Sequence, residues 1–469
     1  MSDNPPSRVA PVHDRQASPR TADRKQDDTR VDRRRIVVAT MVGTTIEFFD
    51  FYICATAAVL VFPALFFHQG DPTAALLKSF ATFGLAFAAR PLGSIVFGHF
   101  GDRIGRKATL VGSLFTMGIA TFLIGLLPTY DQVGDFAPAL LAVLRFAQGL
   151  GLGGEWSGAA LLATETAAKG KRAWAAMWPQ LGAPVGFLVA NGMFWLIMLS
   201  QHFDANSKTG SHAFLVWGWR VPFLLSAVMV IVGLYVRLRL SETPVFARAV
   251  AEGKRLKAPV RQVFRIAWRP LIIGTCVMLA TYALFYLLTT WVVSYGTGKV
   301  VDVSGVKLHI PYTDFLAMQL VAVCLFAIFV PVSGWLADRY GRRVVLLAVT
   351  AAIIAFGAGF GYLLDPASTT VGSMLLFLIV GMTLMGLTFG PMSAVLPELF
   401  PTNVRYTGSG IAYNVASILG AAILPFIATW IVHTHGVAWV GVYLAVVATF
   451  TLIALVVMRE TREVDLAAV

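Results

Sequence analysis

The stretch Gly98-His-Phe-Gly-Asp102-Arg103-Ile-Gly105-Arg106-Lys107 returns 236 positions later as Gly334-Trp-Leu-Ala-Asp338-Arg339-Tyr-Gly341-Arg342-Arg343. Each copy is a short turn between two long apolar segments. A second echo lies beyond each: Glu165 is followed seven residues on by Arg172, and Glu398 seven on by Arg405, at an offset of 233. Two matches at nearly one offset, in equivalent connections, mark the chain as two parallel structural repeats. The chemistry of the turn is readable. Gly105 and Gly341 can take positive φ where the chain reverses. Asp102 and Asp338 can pair with a basic neighbour, or sit against the positive N-terminus of an adjacent helix. Such contacts lie on one face of the molecule only, so they can latch one conformation. The group expected to do so comprises Gly98, Asp102, Arg103, Gly105, Arg106, Glu165 and Arg172, with Asp338, Arg339, Gly341, Arg342, Glu398 and Arg405 in the second copy.

Of the 469 residues, 57% are apolar and 13% charged, against about 25% charged in soluble proteins. This excludes a disordered chain, a collagen and an ordinary soluble enzyme. Residues 1–35 stand apart, with nine Lys/Arg and six Asp and little to bury, and read as a disordered tail. Twelve apolar segments follow, near 36–67, 73–98, 108–127, 136–164, 174–199, 219–240, 270–296, 312–337, 344–363, 370–396, 407–432 and 437–458. Each is close to or above the ~20 residues that span a bilayer as a helix. Helix is the only form that satisfies the backbone of such a segment in lipid.

With the connections numbered alternately, 30 Lys/Arg fall on the side of the N-terminus and 3 (Lys208, Lys299, Lys307) on the other. That asymmetry places both termini in the cytoplasm. The net charge of +12 is therefore a topology signal, and a nucleic-acid partner is set aside. The domains expected are a tail at 1–35, a six-helix bundle at 36–240, a basic cytoplasmic linker at 241–269 along the membrane surface, a second six-helix bundle at 270–458, and a tail at 459–469. The fold class is an all-α, multi-pass membrane protein of twelve transmembrane helices in two pseudo-symmetric six-helix bundles.

The paired Gly-x-x-x-Asp-Arg-x-Gly-Arg turns resemble the loop signature of the major facilitator superfamily, and Arg145-Phe-Ala-Gln148-Gly149 resembles its Arg-x-x-Gln-Gly motif on helix four. Closer still is the metabolite:H+ symporter family, which includes α-ketoglutarate, shikimate and proline/betaine porters. Its hallmarks are matched by Gly43-Thr-Thr-Ile-Glu47-Phe-Phe-Asp50-Phe51-Tyr52, Ala89-Arg90-Pro91-Leu92-Gly93, Gly153-Gly154-Glu155-Trp156 and Gly218-Trp219-Arg220-Val-Pro222-Phe223. Glu47-Phe-Phe-Asp50 departs from the acid-Trp-Tyr-Asp of some members, so substrate identity is not carried over. The resemblance implies a central cavity between the bundles, coupling to protons, and residence in a bacterial inner membrane.

An ionisable side chain inside a bilayer costs at least ~2.5–3.5 kcal/mol on insertion scales, so each is a functional candidate. Glu47 and Asp50 are i, i+3 on one helix face. Two nearby carboxylates disfavour joint ionisation, so one can hold a proton. They and Glu155 are the proton-coupling candidates, with Asp50 first. Arg90, before Pro91, can fork onto a substrate carboxylate or onto Glu47 or Asp50. Arg145, Gln148, Leu152 and Glu155 form one stripe on helix four, where Arg145 faces the cavity or pairs with Glu155. Lys78 and Arg220 lie near helix ends and are expected to snorkel. In the second half there is no Lys, Arg, Asp or Glu between residues 315 and 337, or within 270–296, 344–363, 370–396, 407–432 and 437–458. That half offers neutral contacts, among them Tyr282, Tyr286 and Asn414, which join Arg90, Arg145 and Gln148 as substrate-binding candidates.

The function expected is proton-coupled symport of a small organic acid or zwitterion by alternating access. Proton-antiporting efflux is the alternative within transport, on the partial helix-five motif Gly182-Ala-Pro184-Val-Gly186. A membrane-embedded enzyme is the alternative from another class, and neither His-Glu-x-x-His nor Gly-x-Ser-x-Gly is present. Gly296-Thr-Gly298-Lys299 is only superficially like a phosphate loop. Cys54, Cys276 and Cys324 match no metal spacing. No metal, cofactor or nucleic acid is expected. The partners are a small-molecule carboxylate or zwitterion, H+ and the lipid bilayer, and the unit is expected to be a monomer.

Overall fold

The computed structural model describes residues 19–67, 71–104, 106–154, 156–165, 167–168, 170–202, 213–238, 259–401 and 404–464, with backbone alone at 19–36, 98–104, 106–110, 157, 162, 165, 237, 259 and 260. Among them every regular element is helical. We number the transmembrane helices in chain order. The first half has α1 (Pro19–Leu60), α2 (Pro72–Ile104), α3 (Arg106–Leu126), α4 (Phe136–Leu161), α5 (Arg172–Ser200) and α6 (Phe214–Val236). The second has α7 (Trp268–Gly296), α8 (Tyr312–Tyr340), α9 (Arg342–Ala358, continued by Phe360–Leu363), α10 (Val371–Glu398), α11 (Arg405–His435) and α12 (Val437–Val457). Ten of these are long and apolar enough to cross a membrane. The apolar part of α3, Val111–Leu126, is shorter, and α9 is interrupted at Gly359.

The repeat is visible in the packing. In the first half α2 lies on α4, α3 on α6, and α1 on α5. In the second, α8 lies on α10, α9 on α12, and α7 on α11, the same pairings six helices later. The halves meet along α5 against α8 and α10, and along α11 against α2, a seam that repeats under the same exchange. Helices α2 and α4 touch through glycine. A Cβ on Gly149 would lie 2.1 Å from the Ala86 carbonyl oxygen, and one on Gly153 2.0 Å from that of Arg90, so no other residue allows this approach.

Three features differ from the sequence reading. The tail is not wholly irregular: α1 begins at Pro19, because the Arg, Lys and Gln that follow are good helix formers. Residues 1–18 lie outside the described residues. The first apolar segment does not run unbroken to 67. It stops at Leu60 and resumes as Phe62–Leu65, where Pro63 removes a backbone donor. The linker at 241–269 ends in a short helix, Pro259–Ile266, and its residues up to 258 lie outside the described set.

Candidate functional site

Between the halves lies a small cavity of about 20 Å3 lined by Phe48 and Tyr52 of α1, Arg90 of α2, Ala183 of α5, Met278, Thr281, Tyr282, Phe285 and Tyr286 of α7, Phe326 of α8, Met385 and Phe389 of α10, and Tyr413 of α11. Helical spacing places them: Phe48 and Tyr52 are i, i+4, as are Tyr282 and Tyr286, and each pair stacks, at 5.6 Å and 6.3 Å between ring centroids. Among the described residues, Arg90 is the one cationic side chain in this lining. Its guanidinium lies 4.6 Å from the Phe87 ring centroid and 5.0 Å from that of Phe51, a cation–π setting that holds the charge without consuming its N–H groups. Its Nε and the Tyr52 hydroxyl are both buried without a hydrogen-bond partner. A buried donor left unpaired is costly, and a polar ligand in the cavity would remove that cost.

Behind this wall, Arg145 is fully buried but does not line the cavity. It donates to Gln148 Oε1 and, at 3.3 Å, to the Phe83 carbonyl, and lies 5.1 Å from the Phe83 ring centroid. Gln148 in turn donates to the Asp50 backbone carbonyl at 3.1 Å and to Thr121 Oγ1 at 2.9 Å. Asp50 is fully buried beside this network, and neither carboxylate oxygen has a hydrogen-bond partner. Glu47 is buried one turn away. Glu155 and Gly105 lie outside the described residues, as do the side chains of Asp102, Arg103, Arg106 and Glu165. Asn414 faces the seam rather than the cavity, donating to Ser94 Oγ at 2.7 Å and to the Gly153 carbonyl at 3.4 Å. Lys78 is exposed. Arg220 donates to the carbonyls of Gly125 and Leu127 at 2.7 and 2.8 Å, neutralising the negative end of α3.

Beside the cavity the halves are joined by aromatic and amide contacts. The Trp156 and Tyr413 rings stack at 3.8 Å and 8°. Trp156 Nε1 donates to Gln180 Oε1 at 3.2 Å, and Gln180 Nε2 to the Phe389 carbonyl at 3.1 Å. At the face bearing the repeated turns, Asp338 accepts the backbone N–H groups of Ala173 and Trp174 at the start of α5, at 3.1 and 2.8 Å, and pairs with Arg342 at 3.1 Å. Arg342 Nε lies 3.4 Å from Glu398, Arg172 lies 3.8 Å from the same carboxylate, and Thr461 donates to it at 2.6 Å. Gly341 has φ +103°, and Glu460 accepts the N–H groups of Arg342 and Arg343, both at 3.0 Å. Arg405 donates to the Phe400 carbonyl at 3.2 Å, and Arg339 lies over the Trp335 ring.

Sequence reading did not single out Tyr52, Phe285, Phe389, Gln180 or Glu460 for these places. The signal available for Tyr52 was its i, i+4 relation to Phe48. Gln180 carried none, because its partners sit on α4 and α10.

Two pseudo-equivalent helical halves closing on an aromatic cavity with one cation define a membrane transporter. Residues 40–418 match the family model of the Major Facilitator Superfamily, and the chain belongs to that superfamily. It is 52% identical over 457 residues to the inner membrane metabolite transport protein YhjE of Escherichia coli (strain K12), covering 96% of this chain and all of that protein. It is 33% identical to the shikimate transporter of the same organism, over 92% of this chain and 95% of that one. It is also 33% identical to its proline/betaine transporter, over 91% and 84%. The proton:xylose symporter XylE, bound to 6-bromo-6-deoxy-D-glucose, shares the fold at a TM-score of 0.69 and 16% identity, covering 93% of this chain and 98% of that one. The relatives are transport proteins, which sets aside the enzyme alternative.

Proposed function

We propose that the protein imports a small organic acid or zwitterion together with a proton across a bacterial inner membrane, with both termini cytoplasmic, by alternating access of its two halves. The observation that carries this is Arg90. It is the one cation among the described residues that line a largely aromatic cavity between the halves, with its Nε donor unspent and tyrosine hydroxyls in the same lining. In such a site the guanidinium takes the substrate carboxylate, while Tyr52, Tyr282 and Tyr286 give the body of the substrate apolar faces and hydroxyls. Asp50 is the proton carrier: an enclosed carboxyl with neither oxygen committed is free to take a proton and give it up. Arg145 and Gln148 position it, by fixing the backbone of α1 at Asp50 from behind. The names of the shikimate and proline/betaine transporters fit a substrate with one carboxylate.

The experiment is uptake into proteoliposomes under an imposed inward proton gradient, with labelled shikimate, proline and glycine betaine as the first panel. Accumulation that collapses on adding an uncoupler is the expected result. Accumulation that persists unchanged rules out proton coupling, and flux driven outward by the same gradient rules out import.

A further inference from the structure

The Gly296-Thr-Gly298-Lys299 segment, which looks in sequence like a fragment of a phosphate loop, is occupied otherwise. It follows the end of α7, on the face opposite Asp338, and its own backbone fixes it. Thr297 N donates to Val293 O at 3.0 Å, Lys299 N to Ser294 O at 2.9 Å, and Ile310 N to Gly296 O at 3.1 Å. Gly298 has φ +74°, and a Cβ there would lie 2.4 Å from the Leu308 carbonyl oxygen, so only glycine fits. The loop aims Lys299 across the seam, where Nζ donates to the backbone carbonyl of Val59 in α1.

That carbonyl is free for a reason written into α1. In a continuous helix it would accept the N–H of residue 63. Residue 63 is proline and has none. The neighbouring Ala58 carbonyl also takes a side-chain donor, Ser79 Oγ at 2.6 Å. Both carbonyls lie at the C-terminal end of α1, where the helix dipole favours a cation.

We propose that Lys299 and the Val59 carbonyl kept open by Pro63 form the latch that closes the cavity on the face opposite Asp338, and that its release admits substrate there. The latch joins one donor of the second half to one acceptor of the first, so it exists only while that face is closed. It complements the Asp338 contact on the other face, and opening one face leaves the halves still bonded at the other. The inference rests on the alternating-access part of the reading above, and not on the identity of the proton carrier.

The test is a distance measurement by pulsed electron spin resonance in nanodiscs without substrate. Labels are placed at Val133→Cys and Val306→Cys, exposed sites on that face in opposite halves, with the three native cysteines replaced by serine. Lys299→Met keeps the length and loses the donor. It is expected to raise the ratio of long to short distances by up to about tenfold, as loss of one hydrogen bond across a two-state interface implies. Pro63→Ala restores a competing N–H and is expected to shift the distances the same way. The double variant is expected to go no further than Lys299→Met, and Lys299→Arg to stay like the parent. Unchanged distances in both Lys299→Met and Pro63→Ala overturn the latch, as does a double variant that adds the two shifts. Failure of proton coupling would leave these distances as expected and show only in uptake.

Discussion

Asp338 accepts the backbone N–H of Trp174 at 2.8 Å and that of Ala173 at 3.1 Å, so one carboxylate of the second half closes the N-terminus of α5 in the first. Arg342 pairs with the same carboxylate at 3.1 Å. The two backbone bonds cross the seam and break when this face opens, whereas the arginine pair lies within the second half and survives.

The first prediction follows from that asymmetry. Asp338→Ala removes the cross-seam acceptors, and hydrogen bonds to a charged group contribute about 1.5–3 kcal/mol. The closed state at this face is expected to lose at least about tenfold in population, with uptake falling because the outward-facing form becomes rare. Arg342→Ala leaves the backbone bonds in place, and its effect is expected on folding yield through the buried Glu398 it contacts. Labelling of a cysteine introduced near the seam, from either side of the membrane, checks this. Equal seam opening in both variants would refute it.

Arg90 provides the second. Arg90→Gln removes the one cation among the described residues of the cavity lining while keeping donors, and Arg90→Lys keeps the charge without the planar fork. Substrate affinity is expected to fall about 10–100-fold in the first and less in the second. Thermal-shift titration of purified protein reads this directly, since a ligand that binds the native state raises its stability. Affinity unchanged in Arg90→Gln would place the carboxylate elsewhere.

The third concerns Asp50, whose carboxylate oxygens are buried without partners. Asp50→Asn keeps the size and removes the titration. It is expected to retain counterflow exchange at a comparable rate and to lose uphill uptake under a pH gradient. Uphill uptake that survives would remove Asp50 from the carrier role.

How much of this was open to reading depended on distance along the chain. The repeat was legible because its mark, Gly-x-x-x-Asp-Arg-x-Gly-Arg, is local and occurs twice, and the halves pack by matching helix pairs as the repeat implies. Arg90, Asp50 and Arg145 stood out because charge is scarce in apolar helices. Their surroundings did not. Arg145 spends its two terminal nitrogens on Gln148 and a carbonyl of α2, and Asn414 spends its amide on Ser94 across the seam. In a dry interior a polar side chain is satisfied equally well by a neighbour's carbonyl or by a ligand, and composition does not separate the two. The cavity wall draws on α1, α2, α5, α7, α8, α10 and α11, and its aromatic residues are individually indistinguishable from packing. Lys299 read as one of three lysines on the sparsely charged side, since nothing links it to Pro63 except the fold.

The last prediction is a pH dependence of the Lys299 latch. Burial pushes the Lys299 amine down to about 8, against an ordinary value of about 10.4, and burial alone is the cause. The acidic group of its own loop, Asp302, is committed to the N–H groups of Ser304 and Val437, both at 3.0 Å. Val59 of α1 contributes only its backbone carbonyl. When the face opens, the amine is solvated and recovers its ordinary affinity for protons. The open state therefore binds more protons than the closed one between about 8 and about 10.4. By linkage, closure gains as pH rises through that window and is insensitive to pH below it. A neutral amine still donates to Val59, so the bond itself persists. The spin-label distances across this face are expected to shorten between pH 8 and pH 10 in the parent chain, and to be flat over the same range in Lys299→Met. A pH response of equal size in both would assign it to another group.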